Sequence, residues 1–500
     1  MIPKKNKSIR IYVFLYYFFF VFSFYAKAQL PEPPKEKENR NVIFILTDDH
    51  RYDYMGFTGK VPWLETPSMD RLAAEGAYLP NTFVTTSLCS PSRASILTGQ
   101  YSHSHTIVDN QAPDPGNLTF FTTYLQKAGY QTGFFGKWHM GSHTDEPRPG
   151  FDHWESFHGQ GVYFNPQLNI NGERKQYNDS TYITDLLTEH AIDWLKARDK
   201  EKPFFMFLSH KAVHSEFMPA KRHKGKYKGK KIDLPSTYDQ TKTGEWSDLK
   251  WPKWVAEQRV SWHGVDYMYH SNIDIHKLVQ AYCETLLGVD ESIDSVMEYL
   301  KLEEIDDSTL IIYMGDNGFS WGEHGLIDKR HFYEESVKVP LLVRCPELFQ
   351  GGIQPKAMVQ NIDIAPTILD VAGINKPEYM PGVSFLPVLK GENAHGYRKE
   401  IFYEYYWEKD FPMTPTMFGM RTDKYKYIRY QGIWDRNEFY NLQSDPHEMY
   451  NLIGDPSKQD IIKKMLQSLY GWLEETDGMK IPLKSMNRPA WGDYKHSGEY

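Results

Sequence analysis

Two short stretches end in oxygen-rich pairs. Asp48 and Asp49 close "NVIFILTDDH", Asp316 and Asn317 close "STLIIYMGDNG", and each pair follows an apolar run of strand length. In an open parallel sheet, ligands bind beyond the carboxyl ends of the strands, so the two pairs are expected to converge on one sheet edge. Four hard oxygen-bearing side chains suit Ca²⁺ or Mg²⁺ far better than a soft metal. An acid after a strand is often only a turn residue or a helix cap; it is the coincidence of two pairs that points to a metal. A third feature lies in "TTSLCSPSRASILTGQ", where Cys89 precedes an expected helix over Ser92 to Thr98, closed by Gly99. At a helix N-terminus, backbone N–H groups and the helix dipole are expected to lower the thiol pKa and attract anions. Arg93 adds a planar multi-donor cation suited to sulfate or phosphate.

Further segments supply matching parts. In "FFGKWHMG", Lys137 and His139 stand two apart just past an apolar strand, and an extended stretch would turn both to one side. In "FFMFLSHKAVHSEF", His210 and His214 follow another apolar strand, and Lys329 sits in "DKRHFYEES" downstream of Asp316. Taken singly, such histidines and lysines are usually structural or solvated. Together with a divalent cation, Arg93 and Cys89, they point to nucleophilic displacement at a charged tetrahedral centre.

The elements that must position these residues alternate. Apolar strand-like runs and amphipathic helical patterns succeed one another from Asn41 onward, which indicates an α/β fold with a doubly wound, mostly parallel sheet flanked by helices. The alternation lapses between about 217 and 276 into a polar, aromatic-rich insertion that begins with the basic run "KRHKGKYKGKK". From near residue 391 the texture changes to alternating segments such as "DKYKYIRY", followed by a helical pattern around Asp460 to Glu475. The expected layout is therefore a catalytic domain over 41–390 and a smaller C-terminal subdomain over 391–500, built on an antiparallel sheet and a helix.

Before the fold, residues 1–28 combine a basic start, an apolar stretch from Ile11 to Phe24 and a small-x-small end, the pattern of a cleaved secretory signal. The apolar run is shorter than the roughly 20 residues that span a bilayer. Residues 29–40 are a Pro-rich charged leader, expected to act as a flexible tether. A periplasmic or secreted protein without a membrane span after signal cleavage is expected. Three cysteines are too few for a disulfide framework in that setting. A net charge of −8 argues against a general nucleic-acid binder.

The motif Cys89-Ser90-Pro91-Ser92-Arg93, followed by Leu97-Thr98-Gly99, resembles the signature of formylglycine-dependent sulfatases of the alkaline phosphatase superfamily. The resemblance extends over nearly the whole mature chain, through "LTDDHR", "GKWHMG", "GVDESID", "GDNGFSWGEHGL", "DIAPTILDVAG" and "FYNLQSDPHE". It implies that Cys89 is converted to 3-oxoalanine (formylglycine) by a formylglycine-generating enzyme. It also implies Ca²⁺ held by Asp48, Asp49, Asp316, Asn317 and the modified residue 89. The aldehyde hydrate would attack sulfur, Arg93 and His139 would hold the diol, Lys137 and Lys329 would balance charge on the sulfuryl oxygens, and His214 would protonate the leaving oxygen. One position departs from the family pattern: Val213 stands where a proline often precedes the histidine.

"TFVTTSLCSPSR" and "QYSHSHTIVDN" are similar to the branch that contains glucosamine-6-sulfatases and bacterial algal-polysaccharide sulfatases. The resemblance implies a sulfated polysaccharide or its oligosaccharides as substrate, with ulvan the first expectation and carrageenan or a glycosaminoglycan the second. His105, Asp109 and Asn110 are candidate sugar contacts, and Trp246, Trp251, Trp254 and Trp262 candidate stacking surfaces. Two other readings stand beside this one: a phosphodiesterase or phosphonate hydrolase of the same superfamily, and a non-catalytic glycan-binding homologue.

Overall fold

Alternate residues of the first strand enter two different cores. Val42, Phe44 and Leu46 pack into one buried apolar cluster while Ile43 and Ile45 pack into another, so the strand lies between two layers. The computed structural model describes residues 40–480 apart from 142–143, 239–249, 261–267, 269–272, 393–396 and 433–434. The expected signal, all but the last residue of the leader, Trp246 and Trp262 lie outside the described residues.

In chain order the strands are β1 (Val42–Thr47), β2 (Ala77–Tyr78), β3 (Thr82–Phe83), β4 (Gln131–Gly136), β5 (His153–Ser156), β6 (Gln167–Ile170), β7 (Glu173–Gln176), β8 (Phe204–Ser209), β9 (Leu310–Gly315), β10 (Leu341–Arg344), β11 (Val359–Gln360), β12 (Glu400–Tyr405), β13 (Met417–Thr422), β14 (Tyr425–Tyr430) and β15 (Glu438–Asn441). The large sheet has nine of them, in the order β2-β10-β9-β1-β8-β4-β5-β6-β7. Its five central strands, β9-β1-β8-β4-β5, are parallel, and antiparallel strands finish both edges. Helices Pro67–Glu75, Ile183–Ala197 and Ile275–Leu302 cover one face, and helices Cys89–Thr98, Phe121–Lys127 and Ile364–Val371 cover the other. The doubly wound α/β sheet expected from the alternation is the one observed.

Strands β12 to β15 form a separate antiparallel sheet in sequential order. Helix Gln459–Glu475 buries Ile462, Met465, Leu469, Trp472 and Leu473, one stripe at helical spacing. The Trp472 ring stacks on Phe402 of β12 with centroids 4.8 Å apart. Burying one large apolar side chain of this kind stabilises the packing by about 1.5–3 kcal/mol. Residues of this sheet join the same apolar cluster as the Cys89–Thr98 face of the large sheet. The three cysteines are buried and unpaired. Among the described residues, no helix is long and apolar enough to cross a membrane.

Candidate active site

Parallel strands β1 and β9 are neighbours in register, Leu46 beside Met314 and Thr47 beside Gly315, so the residues that follow them emerge together. Asp48, Asp49 and Asp316 present carboxylate oxygens within 4.8 Å of one another. The Asp49 N–H donates to Asp316 Oδ1 at 3.0 Å, and Asn317 Nδ2 donates to Asp49 Oδ1 at 2.7 Å. Asn317 Oδ1 is buried with no hydrogen-bond partner among the described residues. Three carboxylates and an orphaned amide oxygen make an all-oxygen donor set, and it fits a hard divalent cation.

The helix that carries the cysteine runs from Cys89 to Thr98, one turn earlier than the expected Ser92 start. Pro91 falls within the first turn, where the missing N–H would have had no intrahelical acceptor, so it does not delay the helix. Gly99 closes it in the left-handed conformation, φ 66°, with its N–H on the Ser95 carbonyl at 2.9 Å. All ten residues of this helix are buried, which its polar residues tolerate because each has a partner. The Ser92 hydroxyl donates to the Asp316 carbonyl at 2.5 Å, Ser95 Oγ meets Thr85 at 3.0 Å, and the Thr98 hydroxyl donates to the Ala94 carbonyl at 2.7 Å. Small polar side chains thus let a helix end press against the strand ends.

Cys89 Sγ lies 3.4 Å from Asp48 Oδ1 and 2.9 Å from Lys329 Nζ. Arg93, one turn on, donates from Nε to Asp316 Oδ2 at 2.9 Å and from Nη1 to the Lys137 carbonyl and Ser209 Oγ, each at 2.7 Å. Lys137 Nζ pairs with Asp48 and donates to Gln160 Oε1 at 2.5 Å, while Lys329 Nζ pairs with Asp49. His214 points Nε2 toward Asp49 Oδ2 at 4.0 Å, and its Nδ1 lies 2.5 Å from the Ser215 carbonyl. A carbonyl can only accept, so this contact places the proton of the neutral ring on Nδ1 and turns Nε2 toward the site. His139 is not in an extended stretch: its φ is 55°. It is nevertheless 7% exposed and lines the cavity that His214 also lines, with Nδ1 unpartnered among the described residues.

The electrostatics follow from burial first. Burial and the neighbouring Asp48 charge push the Cys89 thiol up to about 12, although Lys137 and Lys329 pull the other way. The lowered thiol pKa expected from the helix dipole is therefore overturned: desolvation outweighs the dipole. The unmodified cysteine is a poor thiolate nucleophile here. Burial likewise raises Asp316 to about 6 and raises Asp49, whereas for Asp48 the charges of Lys137, His214, Arg93 and Lys329 prevail over burial and hold it low. Burial, with Lys137 next, keeps His139 neutral, and burial does the same for His214.

Asp49, His139, His214 and Lys329 line a cavity of about 310 Å³, and the other groups are bonded to one another around them. Asn110 borders it and accepts from the Ser90 N–H at 3.0 Å. Among the described residues, none of the other sugar-contact and stacking candidates lines it. His105 is fully buried behind the cysteine helix, bonded to Ser95 Oγ at 3.1 Å, and Asp109 Oδ1 accepts from the Gln111 N–H at 2.9 Å. Trp251 is fully buried against His324, and Trp254 is buried near Tyr430, so both are core. His210 turns away to Ser292 Oγ at 3.1 Å. Several cavity residues carry no sequence signal: Gln160, Arg330, and Glu408 with Asp410 and Phe411 from the loop after β12. Glu408 accepts from Arg330 Nε at 2.8 Å, and Phe411 lies 3.2 Å from the Arg330 guanidinium.

A buried cationic floor beside an all-oxygen donor set defines a site for a charged tetrahedral ester. The chain belongs to the sulfatase family: the family model described as Sulfatase matches residues 40–374, and the one described as N-sulphoglucosamine sulphohydrolase, C-terminal, matches 322–475. It is a sulfuric ester hydrolase. It is 35% identical to the N-acetylglucosamine-6-O-sulfatase of Bacteroides thetaiotaomicron, over 87% of this chain and 86% of that one. With the N-acetylglucosamine-6-sulfatase of Homo sapiens it shares 31% identity, over 75% of this chain and 69% of the other. A solved structure of a protein in complex with its substrate D-glucosamine-2-N,6-O-disulfate superposes with a TM-score of 0.78 at 31% identity, covering 90% of this chain and all of that one.

Proposed function

We propose that this protein is an exported sulfatase that removes 6-O-sulfate from N-acetylglucosamine units of a sulfated glycosaminoglycan or its oligosaccharides. The observation that carries the reading is one bonded cluster in which Cys89, Arg93, Lys137 and Lys329 meet Asp48, Asp49, Asp316 and Asn317, with Asp49, His139, His214 and Lys329 lining the cavity above it. Of the polymers considered from the sequence, the relatives favour a glycosaminoglycan over ulvan or carrageenan. The basic start and apolar stretch of residues 1–28 support export.

Ca²⁺ held by the four oxygen ligands would supply fixed positive charge, and hydrated formylglycine at position 89 would supply the attacking hydroxyl. The chain's own residues do the rest. Lys137 and Lys329, each already paired to one aspartate, stand where charge accumulates on the sulfuryl oxygens, so they stabilise the transition state without rearranging. Arg93 fixes the helix end to the ends of β9 and β8 through Asp316 and Ser209. His214, with Nδ1–H held by the Ser215 carbonyl, turns an unprotonated Nε2 toward the site, and this nitrogen delivers a proton to the leaving oxygen once it has taken one up. Arg330, Glu408 and Asp410 supply charged hydrogen-bonding groups in the cavity wall suited to sugar hydroxyls.

The test is sulfate release from N-acetylglucosamine 6-sulfate, sulfated glycosaminoglycan oligosaccharides, ulvan and carrageenan, with residue 89 assayed by mass spectrometry. Release from the 6-sulfated glucosamine substrates is expected. Silence from aldehyde-bearing protein on those substrates, with release from ulvan or from a phosphoester, would overturn the proposal.

A further inference from the structure

The cavity is lined mostly by polar and charged side chains, and large apolar side chains stand exposed in the chain segments that supply that lining. Three of the large apolar side chains that remain exposed follow or adjoin cavity residues in the chain: Val162 two residues past Gln160, Met218 three past Ser215, and Trp407 immediately before Glu408. Trp407 is 42% exposed and is the one tryptophan among the exposed large apolar residues of the described chain. Its setting is built. The indole N–H donates to the Pro412 carbonyl at 3.1 Å, the backbone N–H donates to Thr416 Oγ1 at 2.9 Å, and Glu408 beside it is fixed by Arg330 Nε and by the Tyr405 hydroxyl at 2.9 Å.

An exposed indole held by its own N–H presents a fixed apolar face, and such faces take the C–H side of a pyranose ring while its hydroxyls stay in water. We propose that Trp407 forms a second sugar subsite at the cavity rim, stacking on the unit linked to the sulfated one, so that the ligand is an oligosaccharide and not only a free monosaccharide. The stacking role that the sequence offered to Trp251 and Trp254 thus passes to a tryptophan of the C-terminal sheet's first connection. This inference rests on the carbohydrate-sulfate reading of the cavity.

The experiment is calorimetric titration in a Cys89→Ala background, which binds without turnover. The ligands are N-acetylglucosamine 6-sulfate and a tetrasaccharide ending in that unit. The tetrasaccharide is expected to bind on the order of tenfold more tightly than the monosaccharide, the scale of one ring-stacking contact. Adding Trp407→Ala should erase that advantage, and adding Trp407→Phe should keep most of it. An advantage that survives Trp407→Ala overturns the subsite, as does a parallel loss of both affinities, which would mark a structural role for the loop. Monosaccharide binding with no tetrasaccharide advantage sinks the subsite alone, whereas no binding of either ligand removes the substrate reading on which it rests.

Discussion

The protein buries two clusters of charged side chains, and they are built differently. Beneath the C-terminal sheet, Glu334 meets Arg421 Nε at 3.0 Å and Lys426 Nζ at 2.8 Å, and Lys426 also reaches the Glu448 carboxylate at 2.6 Å and the Phe332 carbonyl at 2.7 Å. Glu438 accepts from the Tyr333 hydroxyl at 2.8 Å and from Tyr430 and Tyr440. Burial pushes Glu334 up, but Arg421 and Lys426 together hold it well below its usual range. That cluster is completed by its own members. At the active site, three acids (Asp48, Asp49, Asp316) face three cations (Arg93, Lys137, Lys329), yet Asn317 Oδ1 and His139 Nδ1 are left without partners among the described residues. Both clusters meet the cost of desolvation, but only the second keeps capacity for a cation and an anion from outside.

The largest effect that tests this contrast is loss of the nucleophile. Cys89→Ala should lower sulfate release by about 10⁵-fold or more while leaving the unfolding transition where it was. Retained turnover would remove Cys89 from the chemistry. Next comes the self-contained cluster: Lys426→Met leaves Glu448 and Glu334 short of a buried cation and should cost about 3–5 kcal/mol, read as a lower urea midpoint. The kcat of the fraction still folded should stay near wild type, and a midpoint that does not move would show that this cluster is not the structural one. Chelation acts on both scales at once. Removing a divalent ion present at a hundred times its Kd should lower stability by about 2.7 kcal/mol and abolish turnover, and Ca²⁺ should restore both. Indifference to the chelator would leave the oxygen donor set without its ion.

The sequence showed much of the site because its parts are local. Strand-end acids, a helix-end cysteine and an arginine one turn on can be placed by periodicity alone, whereas the extended reading of Lys137 and His139 fails at the positive φ of His139. What it could not show depends on burial or on distant chain segments. Trp251 and Trp407 look alike as letters, yet one is fully buried against His324 and the other is exposed in the loop that carries Glu408. Glu408 reaches the cavity from the loop after β12, far along the chain from Cys89, and no spacing rule spans that distance. The thiol pKa failed for the same reason: the helix dipole can be read from local sequence, but the desolvation that outweighs it cannot.

The smallest effect concerns a buried pair that ties the short Ser102–His105 helix to β12 of the C-terminal sheet. His103 Nδ1 lies 2.8 Å from Glu404 Oε2 of β12, the His103 N–H donates to Glu404 Oε1 at 3.1 Å, and His103 Nε2 lies 3.0 Å from the Thr476 carbonyl beyond the C-terminal helix. Burial alone would lower the imidazole pKa, but the Glu404 charge and hydrogen bond outweigh it and raise it, while Glu404 is correspondingly lowered. With the folded-state value above the ordinary 6.5, the stability from this pair is fully present below pH 6.5 and is lost as pH rises through the raised value. His103→Gln keeps a hydrogen-bonding side chain but cannot titrate, so it should flatten the decline in urea midpoint above pH 6.5. The pair belongs with the cluster that completes itself, so kcat measured on folded protein should not follow that flattening; a kcat that does follow it would couple the sheet junction to the site and blur the distinction between the two clusters.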